Sequence, residues 1–375
     1  MRIVYCIAGT YNSGGMERVL ANKANFFVNL GNEITIVTSD QKNRVPYFHL
    51  SDAIKQIDLG INYCDTVNAN FIKKASAYKR KQRSHEKKLN DLLMQLKADI
   101  VISMFDHEIS FLYKIKDGSK KIVEIHFSRY KRLQYGRKGL LGLIDQYRSK
   151  QDLFLVKQYD SFVVLTKEDK GYWGELQNIS VIPNANSFES TEIAALQNKQ
   201  AIAVGRYDYQ KGFEDLINIW ELVHQQEPAW KLNIYGKGEL QSKFEQMINE
   251  RNLEASIQLC SPIKDIQNAY LSSSMCLLTS RYEGLPMTLL EAQACGLPLV
   301  AYACKCGPKD IIQDDVNGYL IEEGDQKSMA EKIVFLIQET EKRMAMGREA
   351  KRLSSNFGEE KVMQQWISLF NKLLS

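Results

Sequence analysis

The sequence predicts an α/β protein of two domains, each built on a parallel β-sheet covered by helices. Short apolar runs alternate with longer amphipathic segments along the chain, and glycine-containing turns separate many of them. This alternation is typical of βαβ units. The 375 residues also exceed what one hydrophobic core usually fills, which favours two domains.

We predict an N-terminal domain over residues 1–183, a linker over 184–198 and a C-terminal domain over 199–356. The remaining residues, 357–375, contain a final amphipathic helix. The opening MRIVYCIAG has the pattern of a first β-strand rather than a signal peptide, because its short apolar run leads directly into a glycine turn. No run approaches the about 20 apolar residues of a membrane-spanning helix. Seven scattered cysteines fit reduced thiols, so we expect a cytoplasmic protein.

Charge is unevenly distributed between the two halves. Residues 1–184 contain 29 Lys and Arg against 19 Asp and Glu, whereas the remainder has an acidic excess. Basic runs lie within 71–97 and 129–138. A solvated face would explain them, and so would attraction to an anionic inner membrane surface or to a lipid-diphosphate acceptor. Nucleic acid is not a predicted partner, because no recognised binding motif accompanies the charge.

The N-terminal domain opens with a βαβ unit. Residues 2–8 form the predicted strand, a glycine loop with Gly14 and Gly15 follows, and a helix continues to about Leu30. The glycines allow the backbone to approach a ligand closely at the helix start. The dinucleotide-binding pattern G-x-G-x-x-G is absent.

His126 directly follows a predicted strand over residues 121–125. Open α/β sheets bind ligands at the carboxyl ends of their strands, which makes His126 a candidate site residue. A structural histidine is the alternative. Further strands of this domain are predicted at 34–38, 99–103, 161–165 and 179–182.

The C-terminal domain begins with a predicted strand over 200–205, and Arg206 and Lys211 lie in the loop that follows. Two cations in one strand-to-helix loop can bind the same anion, with arginine as a planar fork and lysine as a point charge. A solvent-exposed basic loop is the alternative. A strand over 232–235 then ends in a glycine turn at Gly236.

The most informative stretch lies between a predicted strand at 275–279 and another at 297–302. Between them, residues 285–295 form a predicted helix. Gly284 lies in the turn before it, and Pro286 suits the start of a helix, where no backbone N–H is needed. The helix N-terminus offers free N–H groups to an anion. Glu283 lies ahead of the helix and Glu291 within it, and carboxylates are suitable acceptors for sugar or ribose hydroxyls.

The spacing Glu283…Glu291 within EGLPMTLLEAQACGLPLVA resembles the signature of retaining GT-B glycosyltransferases of glycosyltransferase family 4. The resemblance extends from Gly14 to the C-terminal helix and is most specific over residues 205–320. It implies two Rossmann-like α/β/α domains that face each other across a cleft, with the C-terminal helix crossing back to the N-terminal domain.

The resemblance also implies roles for individual residues. Arg206 and Lys211 would bind the donor diphosphate together with the helix end at Gly284 and Leu285. Glu291 would accept the ribose hydroxyls and Glu283 the sugar hydroxyls. Gly236 would lie in the glycine loop near the nucleotide base. Gly14 and Gly15 would form the N-terminal glycine loop near phosphate and acceptor, and His126 would lie against the donor sugar.

No divalent metal or other cofactor is expected. Metal-dependent transferases of another fold use an Asp-x-Asp motif, and no two aspartates here have that spacing. The leaving diphosphate would then be stabilised by Arg206, Lys211 and the helix end. The resemblance implies attack of the acceptor on the same face, without an enzyme nucleophile.

Three functions remain open from the sequence. The first is sugar transfer from a nucleotide sugar, with UDP preferred and GDP not excluded, to a lipid-linked, oligosaccharide or polysaccharide precursor acceptor in cell-surface glycan biosynthesis. The second is another nucleotide-sugar activity such as epimerisation. The third is a non-catalytic nucleotide- or carbohydrate-binding scaffold.

Overall fold

The computed structural model describes residues 1–66, 71–134 and 139–375. Contacts divide the chain into two units. Unit 1 comprises Met1–Ile182 and Val362–Ser375, and unit 2 comprises Pro183–Lys361. The predicted linker residues 184–198 are held within unit 2: Ala194 N–H donates to the carbonyl oxygen of Cys295 at 2.9 Å, for example.

Unit 1 contains a seven-stranded parallel sheet of order β3-β2-β1-β4-β5-β6-β7. Its strands are β1 (Arg2–Ile7), β2 (Glu33–Thr38), β3 (Lys55–Asp58), β4 (Ile100–Ser103), β5 (Lys120–Glu124), β6 (Ser161–Val164) and β7 (Ile179–Val181). The central strands are buried because both faces of a parallel sheet are covered. Strand β3 is largely exposed at the sheet edge and lacks the apolar pattern that would predict it.

The described helices of unit 1 are α1 (Gly15–Asn29), α2 (Phe71–Leu96), α3 (Lys131–Gln134), α4 (Gly139–Val156) and α5 (Lys167–Trp173). Within the predicted basic runs, residues 135–138 lie outside the described residues. Helix α4 was not predicted, because it exposes Leu143, Tyr147 and Phe154 and buries Asp145 and Ser149. These residues depart from the usual pattern of a surface helix.

Unit 2 contains a six-stranded parallel sheet of order β10-β9-β8-β11-β12-β13. Its strands are β8 (Gln200–Val204), β9 (Lys231–Tyr235), β10 (Ile257–Cys260), β11 (Met275–Leu278), β12 (Leu299–Tyr302) and β13 (Gly318–Ile321). Its helices are α6 (Phe213–Gln226), α7 (Gln241–Glu250), α8 (Gln267–Leu271), α9 (Met287–Ala294), α10 (Pro308–Ile311), α11 (Gln326–Gln338) and α12 (Thr340–Ser354).

The last helix, α13 (Glu359–Leu374), packs its apolar face within unit 1 from Val362 onward. Phe370 is fully buried, and its ring lies 5.4 Å from that of Phe27 on α1. The C-terminal helix therefore completes the core of the N-terminal sheet domain.

Candidate active site

Both sheets reverse their strand order at one point, between β1 and β4 in unit 1 and between β8 and β11 in unit 2. Ligands of open α/β sheets bind outside the carboxyl ends of the strands at such a point. In unit 2, the loop that follows β8 contains Arg206 and Lys211, and the loop that follows β11 contains Glu283. The topology therefore brings the predicted cations and one predicted carboxylate to the same edge.

Lys211 and Glu283 form an ion pair, with the Lys211 Nζ 2.7 Å from the Glu283 Oε1. Their side chains are only 13% and 7% exposed. The backbone N–H of Glu283 also donates to the carbonyl oxygen of Lys305 at 3.2 Å. A positive and a negative group are thus held together at the predicted position, with little access for solvent to screen them.

The loop that presents Lys211 is fixed by Asp208. Its Oδ1 accepts the backbone N–H of Lys211 at 3.3 Å and caps a short 3-10 turn over Tyr209–Lys211. Gly212 follows with φ +62°, and a Cβ there would lie 2.2 Å from the carbonyl oxygen of Thr279. Glycine is required at this position because both the backbone conformation and the close approach exclude a side chain.

Arg206 contacts groups of its own loop. That it and Lys211 bind one diphosphate stays a prediction. The Arg206 guanidinium lies 3.0 Å from the Oδ2 of Asp208 and donates to the Oε1 of Gln210 at 3.1 Å. Asp208 thus holds the loop together: its Oδ1 accepts the backbone N–H of Lys211, and its Oδ2 pairs with the Arg206 guanidinium. The Arg206 side chain is 71% exposed, so its charge is accessible to an anion in solution.

Glu291 is buried on α9 and accepts two hydroxyl hydrogen bonds. The donors are the Ser187 Oγ at 2.6 Å and the Tyr270 OH at 3.0 Å. Burial, and then the Glu291 charge, raises the pKa of the Tyr270 hydroxyl, which keeps it a donor. The carboxylate is thus held by two hydroxyl groups of the protein, and its predicted role toward ribose hydroxyls stays a prediction.

The turn before α9 differs slightly from the prediction. Pro286 is the N-cap, and the helix begins at Met287 rather than at Leu285. Gly284 and Leu285 therefore lie in the turn, beside Gly307, whose φ is +97°. A Cβ on Gly307 would lie 2.3 Å from the Cδ of Pro286, so that glycine permits the loop after β12 to pack against this turn.

Close packing leaves no room for a side chain at Gly236. A Cβ there would lie 1.9 Å from the carbonyl oxygen of Gly205, and the N–H of Tyr207 donates to the carbonyl oxygen of the adjacent Lys237 at 3.0 Å. The glycine loop after β9 thus supports the Arg206 loop from behind. This close approach was not predicted from the sequence.

Arg281 is a site residue that sequence reasoning missed. Its guanidinium lies 4.2 Å from the centre of the Tyr209 ring and donates to the Tyr209 carbonyl oxygen at 2.5 Å. The backbone N–H of Arg281 donates to the carbonyl oxygen of Gln210 at 2.9 Å. Arg281 therefore braces the turn that presents Lys211, and its place directly before Tyr282 and Glu283 was the available signal.

In unit 1, His126 lies two residues after the end of β5. Its Nε2 lies 3.2 Å from the Oε1 of Glu124, its side chain is 7% exposed, and its Nδ1 has no hydrogen-bond partner among the described residues. Glu124 also pairs with Lys23 on α1, whose side chain is 2% exposed. Burial alone raises the pKa of Glu124, but the Lys23 charge and the His126 hydrogen bond lower it to about 2.

Lys23 is enclosed by aromatic rings. Its Nζ lies 4.0 Å from the centre of the Trp366 ring on α13 and 5.6 Å from that of Tyr5 on β1. Burial lowers the pKa of Lys23, and Glu124 opposes that shift. The charged pair behind His126 is therefore a buried structural element of unit 1 that joins α1, β5 and α13.

Gly14 and Gly15 lie at the start of α1, at the carboxyl edge of the same sheet. Gly14 is the N-cap, with an extended backbone, and its carbonyl oxygen accepts the N–H of Arg18 at 3.2 Å. A Cβ on Gly14 would lie 2.3 Å from the Glu17 Oε2. The loop therefore keeps a carboxylate close to the helix N-terminus.

Within the described ranges, no group of three or more potential metal-ligating side chains is assembled. The helices of those ranges also include none with the length and hydropathy needed to cross a membrane.

The structure resembles solved glycosyltransferases along its whole length. S. aureus TarM, in a crystal structure that contains UDP, aligns with a TM-score of 0.82 at 18% identity over 99% of both chains. This likeness confirms the predicted GT-B fold with its two Rossmann-like parallel sheets.

Sequence comparison finds a family match over part of the chain. Residues 187–353 match the model of the glycosyl transferases group 1. A glycosyltransferase of Haemophilus influenzae is 28% identical over 97% of this chain and 98% of its own length. The amylovoran biosynthesis glycosyltransferase AmsD of Erwinia amylovora is 36% identical over 56% of this chain and 62% of its own length. The chain thus matches the glycosyl transferases group 1 over residues 187–353, and it is similar to glycosyltransferases along its length.

Proposed function

We propose that this protein transfers a sugar, with retention of configuration and without a metal ion, from a UDP-sugar to a lipid-linked or polysaccharide precursor in cell-surface glycan biosynthesis. The observation that carries the proposal is the Lys211–Glu283 ion pair of 2.7 Å, held before the α9 N-terminus at the switch point of the second sheet. Unit 2 is then the donor-binding domain and unit 1 the acceptor-binding domain.

Breaking the bond between sugar and diphosphate places negative charge on the leaving group. Lys211 is fixed by its loop and little exposed, so its charge acts in a poorly screened environment and needs no reorganisation during the reaction. Arg206, which is exposed, supplies the second cation for the diphosphate. The backbone N–H groups at Gly284 and Leu285 and the α9 N-terminus add a favourable dipole.

Glu291 and Glu283 bind different parts of the donor. Glu291 binds the ribose hydroxyls, a role supported by the hydroxyl groups of Ser187 and Tyr270 that it already accepts. Glu283 binds hydroxyls of the sugar and is oriented by Lys211. Gly236 lies in the loop that borders the nucleotide base.

Unit 1 contributes His126 and the glycine loop of Gly14 and Gly15. The unpartnered, buried Nδ1 of His126 supports its assignment to the donor sugar and to the charge that develops at the reacting centre. Its Nε2 is occupied by Glu124, which fixes the orientation of the ring. The acceptor attacks from the face that the leaving group vacates, so no enzyme nucleophile is required.

The choice of UDP and the class of acceptor are inferred from similar proteins. The TarM structure contains UDP, and AmsD is named for amylovoran biosynthesis. The basic excess of the N-terminal half supports an acceptor that carries phosphate, and peripheral contact of unit 1 with the anionic inner face of the membrane.

A nucleotide panel tests this proposal. We expect UDP to raise the melting temperature, and saturating UDP at about 100 times its Kd to stabilise the protein by about 2.7 kcal/mol. UDP-glucose, UDP-galactose and UDP-N-acetylglucosamine are then incubated with a polyprenyl-diphosphate-linked monosaccharide as the acceptor probe. Transfer that requires the acceptor supports the proposal. Isomerised or hydrolysed sugar without acceptor indicates another nucleotide-sugar enzyme, and binding without any turnover indicates a scaffold.

A further inference from the structure

Helix α4 of unit 1 exposes an apolar stripe. Leu143, Tyr147 and Phe154 are 62%, 62% and 61% exposed, the largest apolar exposures on any described helix. At about 100° per residue, these three positions fall within about 40° of one another on the helix surface. They extend over about 16 Å of helix length, at about 1.5 Å per residue.

The inward face of α4 is partly polar. Asp145 and Ser149 are buried at 3% and 8% exposure, and Val156 is fully buried beside them. A surface helix normally buries its apolar residues and exposes its polar ones. Here polar residues are buried while a leucine and two aromatic residues face outward, so the stripe is not explained by the packing of unit 1.

The exposed charges of the helix and its end are all positive. Arg148, Lys150 and Lys157 are exposed, whereas Asp145 is buried and Asp152 is partly buried. Lys150 lies within the apolar stripe itself, about 20° from Leu143 on the helix surface. Aromatic side chains suit the boundary between lipid tails and headgroups. Lysine suits it as well, because its methylene chain lies along apolar surface while its ammonium group stays in water.

We propose that the α4 stripe, defined by Leu143, Tyr147, Lys150 and Phe154, is the surface through which unit 1 binds an anionic lipid bilayer. This deepens the membrane contact of the proposed function by naming the surface. The apolar side chains enter the boundary region, and Lys150 and Lys157, which lie on the side of the stripe, pair with lipid phosphates.

The test compares the full chain with two triple variants. Leu143→Ser/Tyr147→Ser/Phe154→Ser removes the stripe. The matched control, Leu30→Ser/Val45→Ser/Met94→Ser, removes three exposed apolar side chains from elsewhere on unit 1, which are 55%, 81% and 47% exposed. Co-sedimentation is measured with vesicles of phosphatidylcholine alone and of phosphatidylcholine with phosphatidylglycerol.

We expect the unmodified chain to bind the phosphatidylglycerol vesicles, and the stripe variant to bind them at least about tenfold more weakly. The control variant should bind like the unmodified chain. Lys150→Glu/Lys157→Glu should remove the preference for phosphatidylglycerol, because it reverses the charge of both cations. Thermal melting should not change for the stripe variant, since its three side chains are exposed.

Three outcomes would overturn the proposal: no binding of the unmodified chain to either vesicle, equal binding by the stripe variant, or a dimer in solution that the stripe variant dissociates. UDP binding by the same samples separates this proposal from the catalytic one. A stripe variant that binds UDP normally but not vesicles supports both, whereas vesicle binding without UDP binding removes only the proposed enzyme.

Discussion

Replacing Lys211 with methionine will lower kcat/KM for sugar transfer by about 10²–10³-fold. The side chain is similar in length, but the charge that would stabilise the departing diphosphate is lost. Because the Lys211 Nζ lies 2.7 Å from Glu283, the variant also leaves a largely buried carboxylate without its cation. The change is measured as initial rates of nucleotide release in the presence of the acceptor probe.

Two companion variants show whether the loss is specific. Lys243→Met removes another lysine of unit 2 that pairs with a carboxylate, Glu214, at 3.4 Å, but its side chain is 56% exposed and lies on α7. We expect it to retain full activity. Lys211→Met/Glu283→Gln restores neutrality, so it should recover stability without recovering the rate. A Lys211→Met enzyme as fast as the unmodified one would remove Lys211 from the mechanism.

Replacing Lys23 with methionine will destabilise unit 1 by about 3–5 kcal/mol, because it leaves the Glu124 carboxylate buried without its cation. The apolar stem of methionine can still pack against Trp366, so the effect reports the missing charge rather than a cavity. Urea unfolding, monitored by circular dichroism at neutral pH, measures it as a shift of the first transition midpoint.

The stabilisation that Glu124 contributes depends on pH in a definite direction. The pKa of Glu124 is about 2 in the folded protein against 4.5 ordinarily, so its contribution is fully present above pH 4.5 and is lost as the pH falls toward 2. The difference between Lys23→Met and the unmodified protein should therefore shrink in acid, where Glu124 becomes neutral. Lys23→Met/Glu124→Gln, which leaves no unpaired charge, should recover most of the stability at neutral pH. Equal unfolding midpoints for Lys23→Met and the unmodified chain would contradict the prediction.

Local patterns predicted much of the fold. The strands β1, β8 and β11 are continuous apolar runs that lead into glycine-containing or charged loops, and their positions were predicted to within a residue or two. Parallel sheets bury such strands on both faces, so the signal lies in adjacent residues. Helix α4 carries a mixed signal, because Leu143, Tyr147 and Phe154 face outward while Asp145 and Ser149 are buried, and the sequence pattern therefore did not identify it.

The relative positions of candidate residues were predictable where those residues are close in the chain. Glu283 and Glu291 belong to one strand–turn–helix segment, and the structure places them on either side of the α9 start. Pairing was not predictable. Asp208, which lies between Arg206 and Lys211, accepts the backbone N–H of Lys211 and pairs with the Arg206 side chain, and neither contact was predicted.

The buried pair behind His126 shows the same limit over a longer distance. Lys23 and Glu124 are 101 residues apart, and only the sheet brings α1 to the end of β5. A signal was nevertheless present. Lys23 occupies a position in the apolar stripe of α1 with Val19, Leu20 and Phe27, and Glu124 interrupts a buried strand. A charged residue at a core position usually has a buried partner elsewhere in the fold.

The most direct measurement is a calorimetric titration of UDP into the protein after treatment with a chelator. The central claim is that side chains and a helix end, rather than a divalent ion, hold the diphosphate. The predicted result is the same affinity with and without chelator, and at least about tenfold weaker binding for Lys211→Met with Lys243→Met unchanged. Loss of UDP binding on removal of metal, or unchanged affinity in Lys211→Met, would contradict the claim.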